Sequence, residues 1–355
     1  MDTQKYFDQM FMAQALALAK KAWGTTGINP RVGAVVVNNN RLISQGYHRK
    51  LGEAHAEICA LVGARDQARG ATLYVNLEPC CCSGRTPPCV AAIVKAGIKR
   101  VVISMQDPNP LVNGKGIEYL NDHNIEITKG VLEKEAHELN AWYKKYITTK
   151  IPYTIMKIAV SQDGRIAGSG QKYMSSELSR RFVHALRGQL NAVLVGINTI
   201  LTDDPYLTDR LLGKNNPARI VIDPNLKIPE HANFLIPDCR RIIITNRQND
   251  AAKIRTLTDA GAEFVFFDRV PYPVAKILEE LGKKSISAVL IEGGGEVFAQ
   301  FFKAKAYDEI YLFKTTTKII EGLALDQDIL DHVQTRDDKP INIGEDLLYH
   351  VYRNN

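Results

Sequence analysis

The sequence predicts a two-domain α/β protein, with domains over residues 1–147 and 151–355. Three observations predict it. A chain of 355 residues is long for a single hydrophobic core. Apolar runs of strand length alternate with segments of helical periodicity in both halves, as in α/β layers. The chemistry-bearing motifs fall in two separate clusters, His and Cys residues at 55–89 and a glycine run at 293–295.

The elements follow in chain order. Residues 5–22 set Phe7, Met10, Phe11, Ala15, Leu18 and Ala22 at helical spacing. An irregular loop containing Pro30 and Gly33 leads into an apolar strand at 34–37. A second strand at 41–46 pairs with it as a hairpin across the Asn-rich turn at 38–40. Residues 53–65 read as a helix with His55-Ala56-Glu57 in its first turn, and 72–77 as a strand. After a cysteine-rich loop, Pro87 and Pro88 open another helix. A strand at 100–104, a helix at 116–123 and a strand at 125–128 follow. The polar stretch TTKIPY at 148–153 reads as a linker.

In the second half, 153–161 is an apolar strand and Asp163-Gly164-Arg165 a turn. Residues 176–190 form a helix with Phe182, Val183, Leu186 and Leu190 on its apolar face. Strands at 192–196, 219–222, 241–245, 263–266 and 287–291 alternate with helices near 250–260 and 273–282, which argues for a mostly parallel sheet.

Composition excludes several classes. Hydrophobic residues at 45% and charged residues at 24% are those of an ordinary soluble globular protein. A net charge of +6 suits an anionic small molecule, and the absence of any basic run of five speaks against a nucleic-acid partner. No apolar run reaches the roughly 18 residues of a membrane span. The N-terminal residues lack the charged-then-apolar order of a signal peptide. Five of the six cysteines lie between 59 and 89, unlike a disulfide framework, so reduced thiols and a cytoplasmic location are expected.

His55, Cys80 and Cys89 can supply three ligands to one Zn²⁺, leaving the fourth tetrahedral position for water, as in catalytic sites. Glu57 is placed to shuttle protons, and H-x-E followed by P-C and a second Cys is the signature of zinc nucleobase deaminases. Those have two residues between the cysteines, whereas Cys80 and Cys89 are separated by eight. A closed zinc knuckle or a redox site is the alternative for so many cysteines, and neither has a use for Glu57. Cys81 and Cys82 compete as ligands in principle, but adjacent residues converge poorly on one tetrahedral ion. Helix starts at the ligands favour thiolate at Cys89.

The glycines at 293–295 follow a strand and precede a helix, so their N–H groups can cradle a phosphate. A tight strand-to-helix turn explains the same residues, since the run is not G-x-G-x-x-G.

The whole chain resembles the bifunctional deaminase/reductase family of riboflavin biosynthesis. The motifs are N-P-x-V-G at 29–33, G-Y-H at 46–48, H-A-E at 55–57, L-E-P-C-x-x-x-G-R-T-P-P-C at 77–89 and MQDPNP at 105–110. In the second half they are K-x-A-x-S-x-D-G at 157–164 and G-x-x-T-x-x-x-D-D-P-x-L-T-x-R at 196–210. The resemblance implies a cytidine-deaminase-like α/β/α domain and a dihydrofolate-reductase-like domain. It implies one Zn²⁺ per chain on His55, Cys80 and Cys89, with Glu57 as proton shuttle and Asn29 on the pyrimidine. It implies NADPH against Ala159, Thr199, Asp203, Gly294 and Gly295, and substrate against Arg187, Leu207, Arg210 and Glu292. The arginines suit a ribose phosphate, which guanidinium binds bidentately. A small phosphoribosyl pyrimidine is the implied partner, in a homo-oligomer.

The chain departs from that family in four places. Cys81-Cys82 replaces the usual Ser-His, which sets Cys82 beside the substrate. Gly27-Ile28 replaces His-Pro, the segment at 168–174 is short with Tyr173 for Trp, and Pro224 replaces Ser. Two rival readings are a deaminase of tRNA or free nucleosides, and a zinc-stapled binding module with a nucleotide-sensing domain. The long cysteine spacing argues against the first and Glu57 against the second.

Overall fold

The computed structural model describes residues 3–22, 24–82, 87–168, 174–211, 213, 216–337 and 339–353. The chain divides into two compact units, Met1–Lys150 and Ile151–Asn355.

In the first unit, helix α1 (Thr3–Ala19) precedes strands β1 (Gly33–Asn38) and β2 (Arg41–Tyr47). Then come α2 (Ala56–Ala64), β3 (Thr72–Leu77), α3 (Cys89–Lys95), β4 (Arg100–Met105), α4 (Lys115–Asp122) and β5 (Glu126–Lys129). Two further helices, α5 (Glu133–Leu139) and α6 (Ala141–Thr149), close the unit. The sheet order is β2-β1-β3-β4-β5, with β1 antiparallel to both neighbours and β3, β4 and β5 parallel. The expected hairpin forms because Asn39 and Asn40 both take positive φ, 49° and 60°, the two-residue turn that matches strand twist. β1, β3 and β4 are buried at nearly every residue, so both sheet faces are covered.

Two motif glycines set how closely the helices lie on this sheet. A Cβ at Gly33 would stand 2.1 Å from the Ala15 carbonyl oxygen and 2.7 Å from the Ala19 nitrogen, both on α1 or its last turn. A Cβ at Gly46 would stand 2.5 Å from Cys59 Cβ and 2.7 Å from the Ala60 nitrogen on α2. The obstacles are mostly backbone and cannot rotate away. Gly33→Ala is therefore expected to cost about 1–3 kcal/mol as overpacking and to lower the melting temperature. An unchanged melting temperature would contradict the close approach.

The TTKIPY stretch departs from its expected role as a linker. Thr148 and Thr149 are the last residues of α6, their hydroxyls donating to the carbonyls of Lys144 and Lys145. Lys150 ends the helix at φ 60°, and Tyr153 already begins the next strand. Side-chain hydrogen bonds back to the preceding turn let threonines finish a helix that their polarity alone assigns to a loop.

In the second unit, β6 (Tyr153–Val160) and β7 (Arg165–Gly168) lead to α7 (Glu177–Gln189), β8 (Ala192–Gly196) and α8 (Ile197–Asp203). Next are β9 (Ala218–Ile222), β10 (Arg241–Asn246), α9 (Ala251–Asp259), β11 (Ala262–Phe267), α10 (Val274–Lys283), β12 (Ala288–Ile291) and α11 (Gly295–Lys303). Beyond residue 304 the sequence pattern assigns no element. The chain nevertheless adds β13 (Glu309–Lys314), β14 (Gly322–Ala324), α12 (Gln327–Arg336), β15 (Ile341–Ile343) and β16 (Asp346–Tyr352). The nine-stranded sheet runs β11-β10-β9-β8-β12-β6-β13-β16-β15. It is parallel from β11 to β13, as expected, and ends in the antiparallel strands β16 and β15. β14 and β7 form a separate antiparallel ribbon.

Candidate active sites

The first site lies at two helix starts. His55 is the residue before α2, in extended conformation at φ −70° and ψ 160°, so α2 begins three residues later than the sequence suggests. Cys89 is the first residue of α3, after Pro88. Cys80 lies beyond β3 and accepts a hydrogen bond from the Cys89 backbone N–H at 3.4 Å. His55 Nδ1 is 3.2 Å from Cys89 Sγ and 3.5 Å from Cys80 Sγ, and all three donor atoms lie within 4.8 Å of one another. Bond lengths of about 2.0–2.1 Å to nitrogen and 2.3 Å to sulfur place tetrahedral ligands roughly 3.6–3.8 Å apart. The trio therefore fits a zinc ion with small adjustment. A hydrogen bond from Cys89 holds the Cys80 thiol down to about 4, and the same bond with burial pushes Cys89 up.

Glu57 is buried in the first turn of α2, beside these sulfurs. Burial, then the Cys80 thiolate, pushes its carboxyl up to about 7. His48 stands edge-on to His55, ring centroids 5.4 Å apart at 81°. Its Nδ1 is 3.2 Å from the Ala54 carbonyl oxygen, which makes Nδ1 the donor. Nε2 then accepts from Asn29 Nδ2 at 3.2 Å. Asn29, named from the N-P-x-V-G motif, thus reaches His55 through His48, a link that the place of His48 in G-Y-H did not disclose. The Arg31 backbone behind Asn29 is clamped by Asn140, which accepts from its N–H at 2.8 Å and donates to its carbonyl at 3.0 Å. Asn76 adds a donor bond to that carbonyl at 3.0 Å and accepts from the Gly33 N–H at 2.8 Å.

Cys81 and Cys82 stand beside the trio but outside it. Cys82 Sγ donates to the Leu111 carbonyl at 3.1 Å and lies 3.8 Å from Cys81 Sγ. Residues 83–86 of the same motif lie outside the described residues.

Glu78, the second residue of the L-E-P-C motif, anchors the segment at 107–117. Its buried carboxylate accepts from the backbone N–H groups of Asp107, Gly114, Gly116 and Ile117 at 3.1, 2.9, 2.9 and 3.3 Å. Gly116 allows the approach, since a Cβ there would lie 2.2 Å from the Pro79 carbonyl oxygen. Asp107 in turn accepts from Tyr143 Oη at 2.9 Å and from the Asn109 N–H at 2.8 Å. Glu78→Ala leaves four inward N–H groups without their acceptor, and each buried unsatisfied group costs about 1–3 kcal/mol. The variant is expected to lose several kcal/mol in chemical denaturation of the first unit. A loss no larger than that of an ordinary surface substitution would contradict the clamp.

The second site lies at the C-terminal edge of the parallel strands, where open α/β sheets bind ligands. Gly196, Thr199 and the glycines at 293–295 meet where adjacent strands β8 and β12 end. A Cβ at Gly293 would stand 2.7 Å from Thr199 Oγ1, and one at Gly294 3.8 Å from the same atom. Gly294 precedes α11 at φ 82°, which a side chain rarely adopts. Ala159 is half-buried near the end of β6. Asp203, the last residue of α8, is exposed as a residue, while partial burial of its carboxyl pushes its pKa up.

Arg187 and Glu292 prove to be one unit. Arg187 Nε and Nη2 donate to the two Glu292 oxygens at 2.5 and 2.8 Å, and Lys157 Nζ lies 3.7 Å from the second. Burial alone would raise Glu292, but Arg187 and Lys157 overcome it and hold the carboxyl at about 2. The third guanidinium nitrogen, Nη1, donates to the Thr208 carbonyl at 3.3 Å. The fork expected to face a phosphate therefore faces a carboxylate. Arg210 is exposed, and Leu207 is buried at φ 52° in the same segment. Tyr173 and most of the short 168–174 segment lie outside the described residues. Pro224 accepts through its carbonyl from Asn249 Nδ2 at 2.8 Å, on the loop after β9.

Comparison with known proteins finds relatives along nearly the whole chain. A family model described as the zinc-binding region of cytidine and deoxycytidylate deaminases matches residues 5–105, and one described as the RibD C-terminal domain matches residues 152–317. A riboflavin biosynthesis protein RibD of Aquifex aeolicus is 41% identical over 349 residues, 96% of this chain and 97% of its own. The Escherichia coli RibD is 36% identical over 326 residues, 86% of this chain and 87% of its own. A crystal structure of a diaminohydroxyphosphoribosylaminopyrimidine deaminase/5-amino-6-(5-phosphoribosylamino)uracil reductase from Thermotoga maritima superposes with a TM-score of 0.87 at 35% identity, covering 98% of this chain and 99% of that one. Acinetobacter baumannii RibD does so with a TM-score of 0.89 at 33% identity, covering 99% of each chain. With relatives this similar along nearly its whole length, and with a deaminase zinc region followed by a reductase domain, the chain belongs to the RibD family of bifunctional riboflavin biosynthesis deaminase/reductases.

Proposed function

We propose that residues 1–147 carry out hydrolytic deamination of 2,5-diamino-6-(5-phosphoribosylamino)pyrimidin-4(3H)-one, and residues 151–355 the NADPH-dependent reduction of 5-amino-6-(5-phosphoribosylamino)uracil. The observation that carries this reading is the convergence of His55, Cys80 and Cys89 on one point beside the buried Glu57. One Zn²⁺ per chain on those ligands would supply Lewis acidity, lowering the pKa of bound water toward about 7. Glu57, buried beside the trio, would hold the proton at its carboxyl and move it to the ring nitrogen, then to the departing ammonia. His48 fixes Asn29 through its amide nitrogen, which turns the Asn29 carbonyl oxygen toward the pyrimidine.

In the second unit the glycines at 294 and 295, with Ala159, Thr199 and Asp203, form the dinucleotide side. NADPH would supply the hydride that converts ribosyl to ribityl. Glu292, kept anionic by Arg187 and Lys157, borders the sugar with Leu207. Arg210 takes the phosphate, because Arg187 is committed to Glu292. We further infer a cytoplasmic homo-oligomer without a nucleic-acid partner. Among the described residues no helix is long and apolar enough to cross a membrane.

Incubation with the diaminopyrimidine, with and without NADPH, tests the reading. Without NADPH the products are ammonia and the phosphoribosylamino uracil, and with it the ribityl compound appears. Binding without ammonia release would leave the zinc-stapled module as the better reading. Turnover of tRNA or free nucleosides in preference would favour the other deaminase class.

A further inference from the structure

Neither proposed reaction draws on the thiol chemistry of Cys81 and Cys82, although Cys82 is expected to stand beside the substrate. Six cysteines are present, and the three donor atoms of the metal trio account for two of them. Cys59 and Cys239 each direct their sulfur at a backbone carbonyl, of Ala54 at 3.9 Å and Arg240 at 3.4 Å. Cys81 and Cys82 face one another, sulfurs 3.8 Å apart, with Cys82 exposed and also donating to the Leu111 carbonyl, and Cys81 half-buried. Their backbone positions are adjacent, so their Cα atoms are held about 3.8 Å apart. That is shorter than the roughly 4.4–6.8 Å of ordinary disulfides, so a direct S–S bond between them is disfavoured. A single thiophilic atom bridging both sulfurs has no such difficulty.

We propose that Cys81 and Cys82 form a dithiol site for trivalent arsenicals and like thiophilic centres, separate from the His55, Cys80 and Cys89 trio. With an organoarsenic oxide, each S–H gives its proton to the oxygen and each sulfur forms one As–S bond. The As–O linkage is lost as one water, and no electrons are transferred. Capture consumes the S–H that Cys82 donates to Leu111, so it removes that tie to the segment between Asp107 and Ile117 that Glu78 holds. The metal ligands themselves are not consumed. The site stands on sulfur geometry alone and does not depend on the proposed substrates.

The zinc-loaded full chain is treated with one equivalent of phenylarsine oxide and read by intact mass, thiol titration and zinc analysis. The expected result is one adduct per chain with loss of one water, disappearance of two thiols and unchanged zinc. A small dithiol reverses the adduct and a monothiol does not. Cys81→Ser and Cys82→Ser each keep their zinc and lose the dithiol-specific adduct. Zinc release in step with arsenic uptake would place the reaction on Cys80 and Cys89 and overturn the proposal. So would a dithiol-specific adduct that survives in Cys81→Ser or Cys82→Ser, or no adduct at all.

Discussion

Glu57→Gln retains its zinc and loses ammonia release, by a factor of about 10²–10⁴, the usual contribution of a positioned proton carrier. Glutamine fills the same buried volume in the first turn of α2, so the helix start and His55 stay where they are. What it lacks is an exchangeable carboxyl proton. The carboxylate has no competing structural duty comparable to that of Glu78, whose oxygens are occupied by four backbone donors. The measurement is zinc content beside the initial rate of ammonia formation. A variant that releases ammonia at near the wild-type rate removes Glu57 from this role. One that loses both zinc and activity leaves its contribution to the metal site, not to proton transfer, as the explanation.

The convergence of His55, Cys80 and Cys89 was legible because it is written in residue types at fixed spacing, and the three have few other reasons to be together. The walls around it were not. Glu78 stands in the L-E-P-C motif beside Pro79-Cys80, but its role is silent there, because its four partners are backbone N–H groups, which no side-chain pattern announces. Asn76 and Asn140 are hidden for the same reason, since both spend their amides on the main chain of residues 31–33.

Strand identity in the second unit was legible wherever the strand is central, as in the uniformly apolar Ala192–Gly196 and Ala288–Ile291. The antiparallel edge was not, because Ile341–Ile343 is short and Asp346–Tyr352 mixes buried and half-buried residues. Arg187 shows the limit of reading a charge from its type. An arginine suits a phosphate, but only the fold reveals that Glu292, 105 positions away, takes both of its prongs.

His55→Ala abolishes deamination and leaves reduction of supplied 5-amino-6-(5-phosphoribosylamino)uracil in place. Removing one of three ligands strips the metal of its only nitrogen donor in the trio, leaving Cys80 and Cys89. Altering an outer-shell partner already costs roughly 10–100-fold in metal affinity or activity, so loss of a ligand is expected to exceed that range. The zinc motifs end at Cys89, whereas Lys157, Thr199, Gly294 and Glu292 all belong to the unit that begins at Ile151. Each unit closes its own sheet, and no strand of one is shared with the other among the described residues. Zinc content, ammonia release and NADPH oxidation are measured on the same preparation, with circular dichroism to confirm folding. Loss of NADPH oxidation in a folded His55→Ala protein would show that the reductase requires an intact metal site, and the assignment of one activity to each unit would fall.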